Sequence, residues 1–218
     1  MHTMVRKSWG AGTPSREDIA TAALELIDAG GLDEFSMRKL AAEMGVHPNA
    51  LYRRVSSRDE ILDLVADAVL GEVRVPRRRG TWQDFLVDLA VRMRTAILAH
   101  PNCGPLLNTM TTGMPALFHL EDAIFGALTD AGYHGADLLL AHTTYMGFVL
   151  GASVVEAMQR PGTVGSPPAA REPTAQERAT FPRLAAAYDE IEALEPLPAN
   201  FEANLFRAGI EAVLAGLS

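Results

Sequence analysis

One cysteine in 218 residues, Cys103, excludes an intramolecular disulfide framework and points to a reducing cytoplasm. Positive charge is also scarce. The formal net charge is −8, which excludes a protein that coats nucleic acid through bulk charge. No convincing strand pattern and no internal repeat occur, so the chain reads as all-α. A phosphate-binding glycine loop, a dinucleotide fingerprint and a His/Glu pair at metal-ligand spacing are all missing, so neither cofactor nor metal is expected. His100 lies near Cys103, and such a pair can supply a base and a nucleophile. Without an orienting acid or oxyanion motif beside it, catalysis is not expected. The N-terminus has no basic start leading into an apolar run, so no secretory signal is read.

Long apolar runs are few, and one needs a decision. Residues 138–155, LLLAHTTYMGFVLGASVV, hold no Asp, Glu, Lys or Arg over nearly the length that spans a bilayer. His142, Thr143 and Thr144 interrupt the run, and no second candidate span accompanies it. The expected role is therefore the buried centre of a water-soluble helical assembly, with no membrane partner.

What is present begins at residues 36–58, SMRKLAAEMGVHPNALYRRVSSR. Ser36 suits a helix N-cap, Leu40 and Met44 form an i, i+4 stripe, and Gly45 ends that helix by taking the left-handed conformation. Val46 is the expected buried pivot of a tight turn. His47 stands at the next cap and Pro48 at the first helical position, where its missing N–H costs nothing. The second helix, read over 48–55, turns Leu51 and Val55 inward and Asn49, Arg53 and Arg54 outward. Two short helices on a glycine turn make a helix-turn-helix, whose second helix enters the DNA major groove. Five basic residues against one acid in this stretch put a positive patch on an acidic body.

The flanking sequence supplies more helices. Residues 1–14 read as a flexible tail. Ser15 caps a helix with Ile19, Ala22, Ala23, Leu26 and Ile27 inward, stopped at Gly30-Gly31. Ser57-Arg58-Asp59-Glu60 reads as a capping box opening a helix to about residue 74. Further apolar periodicities predict helices from Thr81 to His100, over 116–131, 136–158, near 178–194, and over 199–217. Prolines and glycines break residues 101–115. Residues 159–176, QRPGTVGSPPAAREPTAQ, lack the hydrophobicity to build a core and read as a flexible crossover. The expected units are a helix-turn-helix domain over 15–60 and an effector-binding and dimerisation domain over 61–218.

The run SMRKLAAEMGVHPNALYRRVSSRDEIL, with Leu51-Tyr52, Val55 and Arg58, resembles the tetracycline-repressor (TetR) family of bacterial regulators over residues 15–75. Residues 82–89 and 147–156 are similar to the effector domain of its tetracycline-type branch. The resemblance implies a ligand-responsive, DNA-binding transcriptional regulator: a homodimeric repressor released from a pseudo-palindromic operator by a small apolar molecule. A constitutive helix-turn-helix protein without an effector is the alternative reading.

The position of each side chain nominates its role. Pro48, Asn49 and Arg53 lie in the first turns of the reading helix. Asn suits adenine, Arg forks to guanine, and proline can touch a thymine methyl. By resemblance Arg38 reaches a base, Tyr52, Arg58 and Ser36 contact phosphate, and His47 joins the DNA-facing set. Gly147 and Gly151 permit close helix approach, and Val154, Phe206 and Ile210 complete the expected dimer surface. Leu89, Met93, Met110, Met114, Phe118, His119, His142, Tyr145 and Met146 form the expected effector pocket, since methionine adapts to varied apolar ligands. Leu89 and Met93 replace a polar amide and an aromatic ring of the tetracycline branch. Residues 106–110, LLNTM, lack its magnesium-binding histidine, so a more apolar effector than a tetracycline–magnesium chelate is expected.

Overall fold

The computed structural model describes residues 14–107, 114–160, 163–164, 172–194 and 196–217. The helices are α1 (Arg16–Gly30), α2 (Met37–Glu43), α3 (Pro48–Tyr52), α4 (Arg58–Gly71), α5 (Trp82–Ala99), α6 (Gly104–Leu107), α7 (Pro115–Asp130), α8 (Gly135–Gln159), α9 (Ala175–Thr180), α10 (Pro182–Glu192) and α11 (Phe201–Gly216), with a 3₁₀ turn at Pro101–Cys103 before α6. No strand occurs among the described residues, so the fold is all-α.

Hydroxyl caps start most of the helices that carry the site. Ser15 and Asp18 form a reciprocal box on α1, as do Thr81 and Asp84 on α5 and Thr174 and Glu177 on α9. Each such cap contributes about 1 kcal/mol. The box expected at α4 is built differently. Ser57 Oγ accepts from the Glu60 N–H, but the Glu60 carboxylate passes the cap residue and accepts from both the N–H and Oγ of Ser56 at 2.6 and 2.7 Å. Those bonds, with the Arg16 guanidinium at 2.5 Å, hold the Glu60 carboxyl down at about 2.

The DNA-side core is closed by Ile19, Ala22, Ala23 and Ile27 of α1, Leu40 and Leu51 of the helix-turn-helix, and Ile61, Val65 and Val69 of α4, all buried. Helix α4 runs unbroken through residue 60 and packs on both α1 and α7, so the division expected at 60/61 falls inside a helix shared by the two halves. The reading helix is also shorter than predicted. It ends at Tyr52, with Arg53 at its C-cap, and Val55 reaches the core from the following turn. The helix expected near 178–194 is two helices, α9 and α10, separated at Phe181-Pro182 because proline cannot donate the backbone bond a continuous helix needs. Half of the crossover read at 159–176, and the tail at 1–14 save Pro14, lie outside the described residues.

In the larger domain α8 packs on α5, α6, α7 and α11. Arg94 of α5 holds Glu156 of α8 by two bonds of 2.7 and 2.5 Å, and its guanidinium lies 5.5 Å from the Phe206 ring of α11. Tyr145, fully buried, donates its hydroxyl to the Leu86 carbonyl at 2.9 Å. Helix α8 is long and apolar enough to cross a membrane by length and composition, yet only 28% of that window is buried in the chain. Within a single chain, then, a large part of α8 faces outward.

Candidate DNA-reading face and effector domain

The geometry of the reading face follows from the turn between α2 and α3. Gly45 takes φ 66°, which an L side chain rarely adopts, and the chain reverses there. Val46, expected to be buried, is only half-buried but packs on the core. His47 caps α3 with its ring, Nδ1 accepting from the Asn49 N–H at 3.2 Å. That bond fixes which way the first turn of α3 faces. Leu51 and Ala50 anchor the helix inward, leaving Asn49, Tyr52 and Arg53 exposed and Pro48 half-exposed. Arg38, on α2, is exposed beside them, and Ser36 Oγ caps α2 by accepting from the Lys39 N–H. Arg58 is partly engaged elsewhere. Its guanidinium donates to the Leu32 carbonyl at 3.3 Å and lies 5.5 Å from the Phe35 ring, steadying the loop before α2.

The Arg16–Glu60 ion pair also steadies the exit of α3. Arg16 donates to the Arg54 carbonyl at 2.9 Å while pairing with Glu60, so α1 clamps the turn that follows the reading helix. Sequence reasoning missed this clamp, because it joins residues 38 and 44 positions apart with no local signature.

The expected effector residues divide four ways. Leu89, Met93, Met114 and Tyr145 share one buried core, with Met146 half-buried against it. Tyr145 spends its hydroxyl on Leu86 within that core. Phe118 and His119 are exposed, Phe118 at 54%, which corrects their expected inward orientation. The fourth and fifth residues of α7 fall on the outer face once Leu117 and Leu120 point inward. Met110 lies outside the described residues. His142 stacks on Phe125 with ring centroids 4.2 Å apart, and its Nε2 is buried with no hydrogen-bond partner among the described residues. Burial holds its imidazole below the ordinary value, so it faces α7 as a neutral group. Ser153, one of the polar residues sequence reasoning passed over, is fully buried with its hydroxyl likewise unpartnered.

Two clefts are lined by other residues. One of about 530 Å³ runs between α5 and α11, past Gln83, Val87, Asp88, Arg207 and Leu214. Another of about 510 Å³ is bordered by Trp82, Tyr133, Asp137, Leu140 and Leu217.

The expected dimer surface needs a sharper correction. Val154, Phe206 and Ile210 are buried inside the chain, so their side chains cannot meet a second copy. Gly147 and Gly151 have no neighbouring atom within 4 Å of an added Cβ, which leaves them open. Gly209, by contrast, does permit a close approach within the chain, since a Cβ there would collide with the Phe148 ring. On the outer edge of α8 lie Leu140, Thr144, Gly147 and Val155, and on α11 Leu205, Ala208 and Ala212, all exposed.

Cys103 is buried and its thiol is pushed up to about 12 by that burial, so it is held protonated. Both His100 nitrogens face carboxylates instead of the thiol, and the two residues do not form a nucleophile–base pair.

Comparison with known proteins agrees with this architecture. Residues 19–65 match the model of bacterial regulatory proteins of the tetR family, and residues 76–218 match the tetracyclin repressor-like C-terminal domain. The chain belongs to the TetR family. It is a TetR-family transcriptional regulator, 34% identical over 173 residues to an HTH-type transcriptional regulator of Saccharopolyspora erythraea, covering 78% of this chain and 73% of that one. The class A tetracycline repressor of transposon 1721 from Escherichia coli is 30% identical over 203 residues, 92% of this chain and 88% of that one. Among solved structures, the Streptomyces coelicolor TetR family protein ActR in complex with actinorhodin superposes with a TM-score of 0.72 at 27% identity, covering 93% and 96% of the two chains.

Proposed function

We propose that this TetR-family regulator is a cytoplasmic repressor that binds a pseudo-palindromic operator as a homodimer and is released by a small, largely apolar molecule. One observation carries the reading: Asn49, Tyr52 and Arg53 are exposed together on a reading helix whose first turn is fixed by His47 and whose exit is clamped by Arg16. In this reading Asn49 and Arg53 read base edges, Pro48 and Arg38 touch bases, and Ser36, His47, Tyr52 and Arg58 address the backbone.

A helix of five residues covers too few base pairs for an operator, so two copies are needed. The outer edges of α8 and α11 supply the surface, with Gly147 and Gly151 leaving room for a crossing helix. The buried His142 Nε2 and Ser153 hydroxyl, without hydrogen-bond partners among the described residues, support an effector that is apolar over most of its surface with one or two hydrogen-bonding groups. The relative ActR in complex with actinorhodin, and the tetracycline repressors by name, support the same class of control.

The test is selection of duplexes from a random library, followed by titration of the winning duplex with candidate effectors. Enrichment of a two-fold symmetric sequence, and its release by an apolar compound, support the proposal. Symmetric binding that no compound alters favours a constitutive DNA-binding protein.

A further inference from the structure

The joint between the two halves of the molecule has more structure than a shared helix. His100 ends α5, and its ring bridges two elements of the DNA-binding side. Nδ1 lies 2.7 Å from Asp28 Oδ2 near the end of α1, and Nε2 lies 3.1 Å from Glu72 Oε1 at the C-cap of α4. Two residues on, Asn102 donates through Nδ2 to the Asp28 carbonyl at 2.9 Å and accepts at Oδ1 from the Val164 N–H at 2.8 Å. Val164 in turn covers Gly31, where an added Cβ would sit 2.9 Å from the valine side chain. The last turn of α1 is therefore held by α5, by the 3₁₀ turn and by the segment after α8 at once.

We infer that His100, Asp28, Glu72 and Asn102 form a charge-dependent clasp through which the effector domain holds the end of α1, making His100 a positioning residue for the DNA-reading unit. Only an imidazolium can donate to both carboxylates, because neutral imidazole has one N–H. In the neutral form one carboxylate faces a lone pair. Asp28 depends on the donor, since its other oxygen is buried without a hydrogen-bond partner. The charged and titratable groups around the ring are few. They are Asp28 from α1, Glu72 from α4, Cys103 from the 3₁₀ turn, and Arg160 beyond α8, which donates to the Leu98 carbonyl two residues before His100. The Asp28 hydrogen bond raises the imidazole above its ordinary value despite the opposing effect of burial. A raised folded value means the clasp is fully closed below about pH 6.5 and opens as pH climbs through that raised value. The DNA-reading unit thus answers to α1 as well as to α4.

The experiment uses the whole chain without any effector. Amide exchange in the last turn of α1 is compared at pH 5.5 and 8.5 after correction for intrinsic rates, alongside the NMR titration of His100. The wild type should lose about tenfold protection at the higher pH, the scale of one hydrogen bond to a charged group. H100Q should show pH-independent protection, and D28N should return the His100 titration toward its ordinary range. Should H100Q not fold, D28N alone reports the same coupling through the His100 titration. A second arm measures affinity for a library-selected duplex at the two pH values, where the wild type should change several-fold more than H100Q. Protection that is flat with pH in the wild type, or a pH response unchanged in H100Q, overturns the clasp. Equal affinity changes in both proteins overturn its link to DNA reading. If no duplex is selected at all, the operator reading fails while the exchange measurement still judges the clasp.

Discussion

The reading helix and the long helix α8 place apolar and polar groups in opposite ways. Around α3, apolar side chains turn inward and every helix start is capped, so the exposed face is polar, cationic and held by short bonds to neighbouring residues. Along α8 the inner face is sealed by Tyr145 and by the Arg94–Glu156 pair, while the outer edge leaves Leu140 63% exposed. One surface is finished within a single chain and waits for a charged duplex. The other is unfinished and costs free energy until something apolar covers it. The contrast supports the two proposed interfaces: nucleic acid at α3, and a second copy of the chain at α8 and α11.

The largest effect should come from cutting the inner tie of α8. Arg94→Ala leaves the Glu156 carboxylate in a site where both side chains are largely buried, and a loss of about 3–5 kcal/mol in unfolding free energy is expected. Denaturant titration checks it, and a loss below about 1 kcal/mol would show that the pair is solvent-screened. Next comes the outer edge. A Cβ at Gly151 meets no atom of its own chain, so with Gly151→Arg the fold should survive while the dimer is weakened by about 2 kcal/mol or more. Light scattering that still reports a full dimer at micromolar concentration would remove this edge from the interface.

On the reading face the effects are smaller and specific to sequence. Asn49→Ala and Arg53→Ala should each relax preference at particular base pairs by about 1–3 kcal/mol, read from binding across a variant library. A uniform loss would make them anchoring residues only. Arg58→Ala should flatten the slope of log affinity against log salt by about one unit, with a modest loss of thermal stability from its contact with Phe35. If stability falls and the slope does not, Arg58 serves the fold alone. The smallest effect concerns Glu60. Its carboxyl is held down at about 2, so its contribution is present above about pH 4.5 and is lost as pH falls toward 2. Glu60→Gln should blunt that acid sensitivity, as acid titration of the helical signal would show.

The contrast also explains what could be read from sequence. Gly45, His47, Pro48 and Leu51 act on neighbours within a few positions, so spacing alone placed the turn, the cap and the inward face. The end of α3 was less legible, because Val55 is buried as a helical residue would be, although it follows the helix. For α8 and α11 the same apolar periodicity serves two different neighbours. Val154, Phe206 and Ile210 were assigned to a partner and belong to the chain's own core, while Leu140 and Leu205 face outward. Nothing in a linear pattern says which side of a doubly apolar helix meets its own chain first. Gly209, Arg94 with Glu156, and His100 with Asp28 depend on contacts between distant residues, and those exist only once the helices have packed.

Analytical ultracentrifugation of the full chain with a library-selected duplex tests the central claim most directly. Two copies on one duplex with symmetric half-sites, reduced to weak single-copy binding by Gly151→Arg, is the predicted result. A single copy bound with undiminished specificity, or no preference for any duplex over random competitor, would contradict it.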